Sequence, residues 1–525
     1  MNLAQELFQT RLRYGNKTAI LFEGRPYSFG EIDEEIRKRA LWLCKAGVKK
    51  QDCIAILLPK SMEFIFWHLA VLSVDAVSLP LNPSYPAGEI SYFLSDSQST
   101  LLVTEAARQE KLPGTMAREK GMKTLLLDEA SPDGWGPIPR EMEKVGSADC
   151  RNFSAQDDDV AVICYTSGTT GKSKGAMITH RNLVSNMKTL QRVWQWKAED
   201  VLLHVIPLFH IHGLIVALHG AFHAGSTIVM HEKFDPLKVG CALEKEGCTL
   251  LTAVPTIYHR LMQEWQRGKP DLRSMRLFLS GAAPLCENLF HQFEDVTGFR
   301  ILDRYGMTEA GIIASNPLNP LGRVPKSVGY PLPGVEVRIV PERGGEAKKG
   351  EVGEVWVRGE NVFKGYWQNE EKTKEALKDG WFKTGDLGRL DAQDPRLFLV
   401  GRCKELIISG GYNVYPVEVE NVLDRHPAIQ EAAVVGRPDE DFGERVAAVV
   451  VLCKDQPPVS PGEIISFCKK HLVAYKCPKE IAIVDRLPRN SMGKVEKKVL
   501  KSTLACPDGR GEKVFPRRDR ITPLA

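Results

Sequence analysis

The sequence predicts an α/β protein, with a large N-terminal domain of stacked β-sheets and helices followed by a small mobile α+β domain. Three observations carry this. Short apolar stretches alternate with amphipathic ones over most of the chain, which is how strands and helices read when they share a core. At 525 residues the chain is too long for one ordinary core. Near residue 400 the pattern changes around glycines suited to a turn or hinge, and a second self-contained α+β run begins.

The elements follow in order. Residues 18–22 read as a strand, 29–46 as a helix, and 53–58 as a strand stopped by Pro59. Residues 160–165 are apolar behind three aspartates and read as a strand entering a glycine-rich loop. Further strands are expected at 227–231, 249–254, 277–280, 335–340 and 354–358. The boundary is placed at 401–404: residues 1–401 form the large domain, 402–404 the hinge and 405–525 the lid. Within the lid, 417–425 and 461–471 read as helical, and 429–436, 445–452 and 481–484 as strands. The stretch 506–525 is basic and proline-containing, and is expected to be a loosely held tail.

Composition excludes several classes. Apolar residues make up 43% and charged residues 26%, a folded globular balance. A net charge of +4 gives no bulk electrostatic reason for a nucleic-acid partner. The twelve cysteines form no CxxC pair and read as reduced thiols of a cytoplasmic protein. The opening residues carry an early acid and no uninterrupted apolar run, so no secretory signal is expected. The longest apolar runs contain His68 and fall short of a membrane span.

The most informative string is Tyr165-Thr166-Ser167-Gly168-Thr169-Thr170-Gly171-Lys172-Ser173-Lys174-Gly175. Glycines free backbone N–H groups to turn toward an anion, hydroxyls add donors, and two lysines add charge. That combination suits the β- and γ-phosphates of a nucleotide. A Walker loop would need glycine at Thr166, so that spacing fails. Gly171 to Gly175 formally matches GxSxG, but no helix starts convincingly after Ser173. A plain surface loop is the remaining alternative.

The string resembles the phosphate-binding loop of the adenylate-forming superfamily, with Ser173 where the family usually has proline. Other motifs follow in the family's order. Ser280-Gly281-Ala282-Ala283-Pro284 resembles the turn along the adenine. In Asp303-Arg304-Tyr305-Gly306-Met307-Thr308-Glu309 the resemblance implies that the tyrosine stacks on adenine, the threonine meets the α-phosphate and the glutamate holds Mg²⁺. Asp386 matches the ribose-binding carboxylate and Arg402 a nucleotide-contacting arginine. Lys494, in the string 488–494, matches the catalytic lysine, and Thr170 is a second candidate Mg²⁺ ligand. Lys404 matches the hinge residue, and Gly410-Gly411 the segment lining the tunnel for coenzyme A.

The resemblance implies an AMP-forming acyl-CoA synthetase: ATP and an acid give an acyl-adenylate and pyrophosphate, and coenzyme A then takes the acyl group. The resemblance is closest to the malonyl-CoA synthetase and fatty-acid–CoA ligase branches. It leaves a fatty, alicyclic or small dicarboxylic acid open; Arg260 or Arg304 could pair with a second carboxylate, the alternative for both being a structural ion pair within the protein. The alternative is a stand-alone enzyme that loads a carrier protein. The expected partners are small molecules, and a homodimer is admitted. Six of the twelve histidines fall between His204 and His231. His219 and His223 stand at i, i+4 without an intervening acid, which argues against a metal site. The resemblance puts His210 beside the acyl carboxylate and leaves the others as core or surface residues.

Overall fold

The computed structural model describes residues 2–109, 122–127, 149–166, 172–266, 268–453, 456–457, 459–489 and 495–504. Ser167 to Gly171, Lys494 and the basic stretch 506–525 lie outside these.

The described strands form three sheets. In the largest, of 14 strands, Leu302–Met307, Leu277–Ser280, Leu250–Ala253, Val201–His204, Thr227–Met230 and Thr18–Phe22 lie side by side and parallel. Beyond Leu302–Met307 the neighbours Gly311–Ser315, Ser327–Pro331, Leu397–Arg402, Trp381–Leu390, Gly353–Gly359 and Val335–Val340 pair antiparallel. A seven-stranded sheet carries Val160–Thr166 between Val77–Pro80 and Lys174–Thr179.

Helix Met62–Ser73 is buried over its whole length, so its apolar run serves as core rather than as a membrane segment. Ser61 caps it by accepting from the Phe64 N–H. It belongs to one apolar cluster that also takes in Ile54 and Ile56 of the smaller sheet and Leu202 and Leu203 of the larger. No helix among the described residues is long and apolar enough to cross a membrane. The described cysteines are free thiols.

The sheet of the N-terminal part ends at Arg402, and a short 3₁₀ turn, Cys403–Glu405, leads into a separate five-stranded sheet. That sheet has its own core around Val419, Val434, Val446 and Ile464. Helix Pro461–His471 starts as expected, with a reciprocal Ser460–Glu463 capping box. Most expected elements recur within a residue or two. The last strand is Glu480–Ile483 rather than 481–484, and Gly311–Ser315 was not expected as a strand at all.

Candidate active site

Strand Leu302–Met307 lies where the large sheet changes from parallel to antiparallel pairing, and its C-terminal end opens toward the expected nucleotide residues. Strand alternation sends neighbouring side chains to opposite faces, so Arg304 and Tyr305 part company. A register shift between Tyr305 and Gly306 bends the strand before the turn that carries Thr308 and Glu309.

On one face, residues expected at the nucleotide converge. The Tyr305 hydroxyl donates to Asp386 Oδ2 at 2.6 Å, and Arg402 Nε meets Asp386 Oδ1 at 3.0 Å. Asp386 is buried, and its charge raises the guanidinium pKa of Arg402. Three segments far apart in sequence thus meet at one carboxylate. Its two oxygens accept from a phenol and a guanidinium, and Arg402, the last residue of its strand, also pairs with Asp386 in the sheet register.

A second group surrounds Glu309, which is 7% exposed. Thr166, at the end of its strand, donates to Glu309 Oε1 at 3.3 Å, and Tyr366 donates to the same oxygen at 3.1 Å. The Lys174 ammonium lies 4.2 Å from the Tyr366 ring centroid. Burial lowers the Lys174 pKa, and Glu309 opposes that shift. Glu309 therefore faces Thr166 and Lys174, which flank the glycine-rich string, across the interface between two sheets. Tyr366 was missed by sequence reading. It stands on the two-residue strand Gly365–Tyr366, too short to give a periodic signal.

On the opposite face of the strand Arg304 is buried. Gly281, Ala282 and Ala283 turn away from strand Leu277–Ser280, with Ala282 at φ +69°. Gly281 is required by close approach: a Cβ there would stand 2.5 Å from the Arg304 Cζ. Arg304 is 4% exposed, and its Nε and one Nη have no hydrogen-bond partner among the described residues. The Ser280 hydroxyl beside it is likewise buried and unpartnered. Burial pushes the Arg304 pKa down to about 10, with Asp303 and Tyr258 opposing, so the group stays cationic at neutral pH. Burial pushes the Asp303 carboxyl up to about 7. Buried guanidinium N–H groups without acceptors are costly.

His212 completes this face. Its Nε2 sits 2.7 Å from Thr252 Oγ1, and burial, with Arg304 nearby, drives its pKa well below the ordinary value. It opens the π-helical stretch His212–His219, where Gly213 packs so closely that a Cβ would collide with the Pro207 carbonyl. His210 lies in the preceding turn, its ring 4.4 Å from that of Phe209. His219 turns into the core, 2.9 Å from His68 Nε2.

Of the two candidate arginines, Arg304 is buried, whereas Arg260 is exposed on helix Pro255–Trp265. The helix turns Ile257, Tyr258 and Leu261 inward, which leaves position 260 outward. Lys404 lies in the 3₁₀ turn between the two parts, and Gly410 and Gly411 form a tight turn between Ile407–Ser409 and Tyr412–Val414 at φ +59° and +79°.

Known proteins resemble this chain over most of its length. The family model for the AMP-binding enzyme matches residues 7–367, and that for the AMP-binding enzyme C-terminal domain matches 418–494. The mitochondrial malonate–CoA ligase of Mus musculus is 35% identical over 94% of this chain and 90% of its own length. The oxalate–CoA ligase of Arabidopsis thaliana is 36% identical over 87% of this chain and 89% of its own. ATP-bound MatB from Rhodopseudomonas palustris superposes with a TM-score of 0.90 at 39% identity, covering 96% of this chain and 98% of that one. Its apo form, at the same identity and coverage, superposes at 0.80, so this chain lies closer to the ATP-bound arrangement. The chain belongs to the AMP-binding enzyme family and is an AMP-forming acid–CoA ligase that uses ATP and coenzyme A.

Proposed function

We propose that the acid is a short dicarboxylic acid of the malonate class, and that Arg304 holds the carboxylate that does not react. The carrying observation is the buried, unpartnered guanidinium against Gly281, with Ser280 and His212 beside it. A site built for a hydrocarbon chain would leave that cation unpaired at a cost of several kcal/mol.

In this reading the reacting carboxylate lies near His210 and attacks the α-phosphorus of ATP. Asp386 accepts from the ribose hydroxyls, with Tyr305 and Arg402 fixing its orientation. Gly281, Ala282, Ala283 and Gly306 border the adenine, and Thr308 meets the α-phosphate. Lys172, Lys174, Thr166 and the residues 167–171 take the β- and γ-phosphates. Lys494 bridges the reacting carboxylate and the α-phosphate, and positioning and charge stabilisation supply most of the rate.

Glu309 fits Mg²⁺: it is a buried carboxylate whose hydrogen-bond donors are the Thr166 and Tyr366 hydroxyls, with the Lys174 cation nearby, which leaves other coordination positions to phosphate oxygens. When bound, the ion offsets charge on the departing pyrophosphate. For the thioester step, the lid (405–525) turns about Lys404, withdrawing Lys494 and presenting Gly410-Gly411 to the pantetheine arm. A cytoplasmic setting and a homodimer go with this reading, to be tested by fractionation and light scattering.

The test is pyrophosphate release across acids. The reading expects malonate to exceed butanoate in kcat/KM by about 100-fold or more, the scale set by leaving a buried site cation unpaired. Equal values for the two would refute it.

A further inference from the structure

Helix Ala87–Asp96 belongs to none of the family-like motifs, yet it touches both flanks of the phosphate-loop string. On the entering side, the Tyr165 hydroxyl donates to Asp96 Oδ2 at 2.6 Å. On the leaving side, the Tyr92 hydroxyl donates to the Ser173 carbonyl at 2.9 Å. The Tyr92 ring also carries the Lys172 ammonium, 5.4 Å from its centroid. Trp367 fastens the same corner, donating from Nε1 to the Asp96 carbonyl at 3.0 Å and from its backbone N–H to the Gly175 carbonyl at 2.7 Å.

We propose that Tyr92 is a positioning residue for ATP: its hydroxyl pins the Ser173 flank, and its ring holds Lys172 near the polyphosphate until the nucleotide takes it. The proposal rests on the reading that Lys172 and its neighbours bind the phosphates.

Two physical points support it. The string carries glycines at 168, 171 and 175, so ordering it around an anion costs conformational entropy. A proline at 173 would lower that cost by fixing φ. This chain has serine there, and the carbonyl of that serine is held from outside by Tyr92. A partly exposed cation–π contact is weak enough for a phosphate to displace, so the ring positions Lys172 without sequestering it.

The test uses the full-length enzyme and separates the two half-reactions. Tyr92→Phe keeps the ring and removes the hydrogen bond. Its KM for ATP in pyrophosphate exchange should rise about 3- to 10-fold, with kcat within about twofold, the range of one lost neutral hydrogen bond. Tyr92→Leu should raise it further. Ser173→Pro in the Tyr92→Phe background should recover most of the loss. Thioester formation from supplied acyl-adenylate and coenzyme A, and the thermal midpoint of Tyr92→Phe, should stay at wild-type values. An unchanged ATP KM in Tyr92→Phe, an equal fall in both half-reactions, or no recovery by Ser173→Pro would each overturn the proposal. Lys172→Ala separates the two layers. If it raises the ATP KM while Tyr92→Phe does not, the Tyr92 assignment alone falls. If neither variant moves it, the phosphate-loop reading falls as well.

Discussion

Replacing Arg304 by methionine removes a buried cation while keeping an unbranched side chain in the slot against Gly281. Two of its nitrogens are buried without partners, so two charge-assisted hydrogen bonds to a carboxylate are available. Each contributes about 1.5–3 kcal/mol, and the pair about 3–5 kcal/mol once non-additivity is allowed for. The expected loss of kcat/KM for malonate is therefore about 200- to 5,000-fold. Butanoate makes no use of the cation, and removing an unpaired buried charge should leave its kcat/KM unchanged or raised. The assay is pyrophosphate release with each acid at saturating ATP, accompanied by a thermal melt. A melt no lower than wild type shows that the fold survives, since exchanging a buried charge for an apolar side chain is commonly neutral or stabilising. Equal losses for malonate and butanoate would refute the reasoning, because they would make Arg304 a structural residue.

Other outcomes follow from the same structure. Lys494→Ala should lower acyl-adenylate formation by about 100-fold or more, while thioester formation from supplied acyl-adenylate largely survives, and single-turnover measurement of each half-reaction checks this. Asp424, at the junction of the two parts, has its carboxyl pushed up to about 7 by burial, with Glu420 and Glu431 reinforcing the shift and Lys326 opposing it. A raised carboxyl pKa means that the folded state binds the extra proton, so stability falls as pH rises from the unfolded value toward about 7. Asp424→Asn removes that penalty. Its melting temperature should exceed wild type by about 1–3 °C at pH 8 and by less than about 1 °C at pH 5, as read by scanning fluorimetry.

More of the proposed nucleotide side than of the proposed acid side was legible in the sequence, for physical reasons. Asp386, Tyr305, Arg402 and Glu309 sit in short strings whose composition suggests their chemistry; the fold brings Tyr305 and Arg402 to hydrogen-bonding distance of Asp386, and Glu309 to that of Thr166 and Tyr366. The proposed acid pocket depends instead on burial. Arg260 and Arg304 are equally cationic as letters, and only packing against Gly281 on one side, and the outward face of a helix on the other, separates them. Tyr366, Thr252 and Tyr92 act through contacts over 40 or more residues, and no local pattern marks them. The π-helical stretch from His212 was equally hidden, since its residues are buried all round and carry no periodicity. Strand Gly311–Ser315 escaped notice because it follows its partner across a three-residue turn and merges with the preceding motif.

The most direct measurement is coenzyme A-dependent AMP formation by the wild-type enzyme across a panel of acids: oxalate, malonate, succinate, butanoate, octanoate and palmitate. The account predicts AMP and thioester in equal amounts, with kcat/KM highest for a short dicarboxylate and lower by about 100-fold or more for the monocarboxylates. A maximum at octanoate or palmitate would contradict it, because the buried Arg304 would then face a hydrocarbon chain.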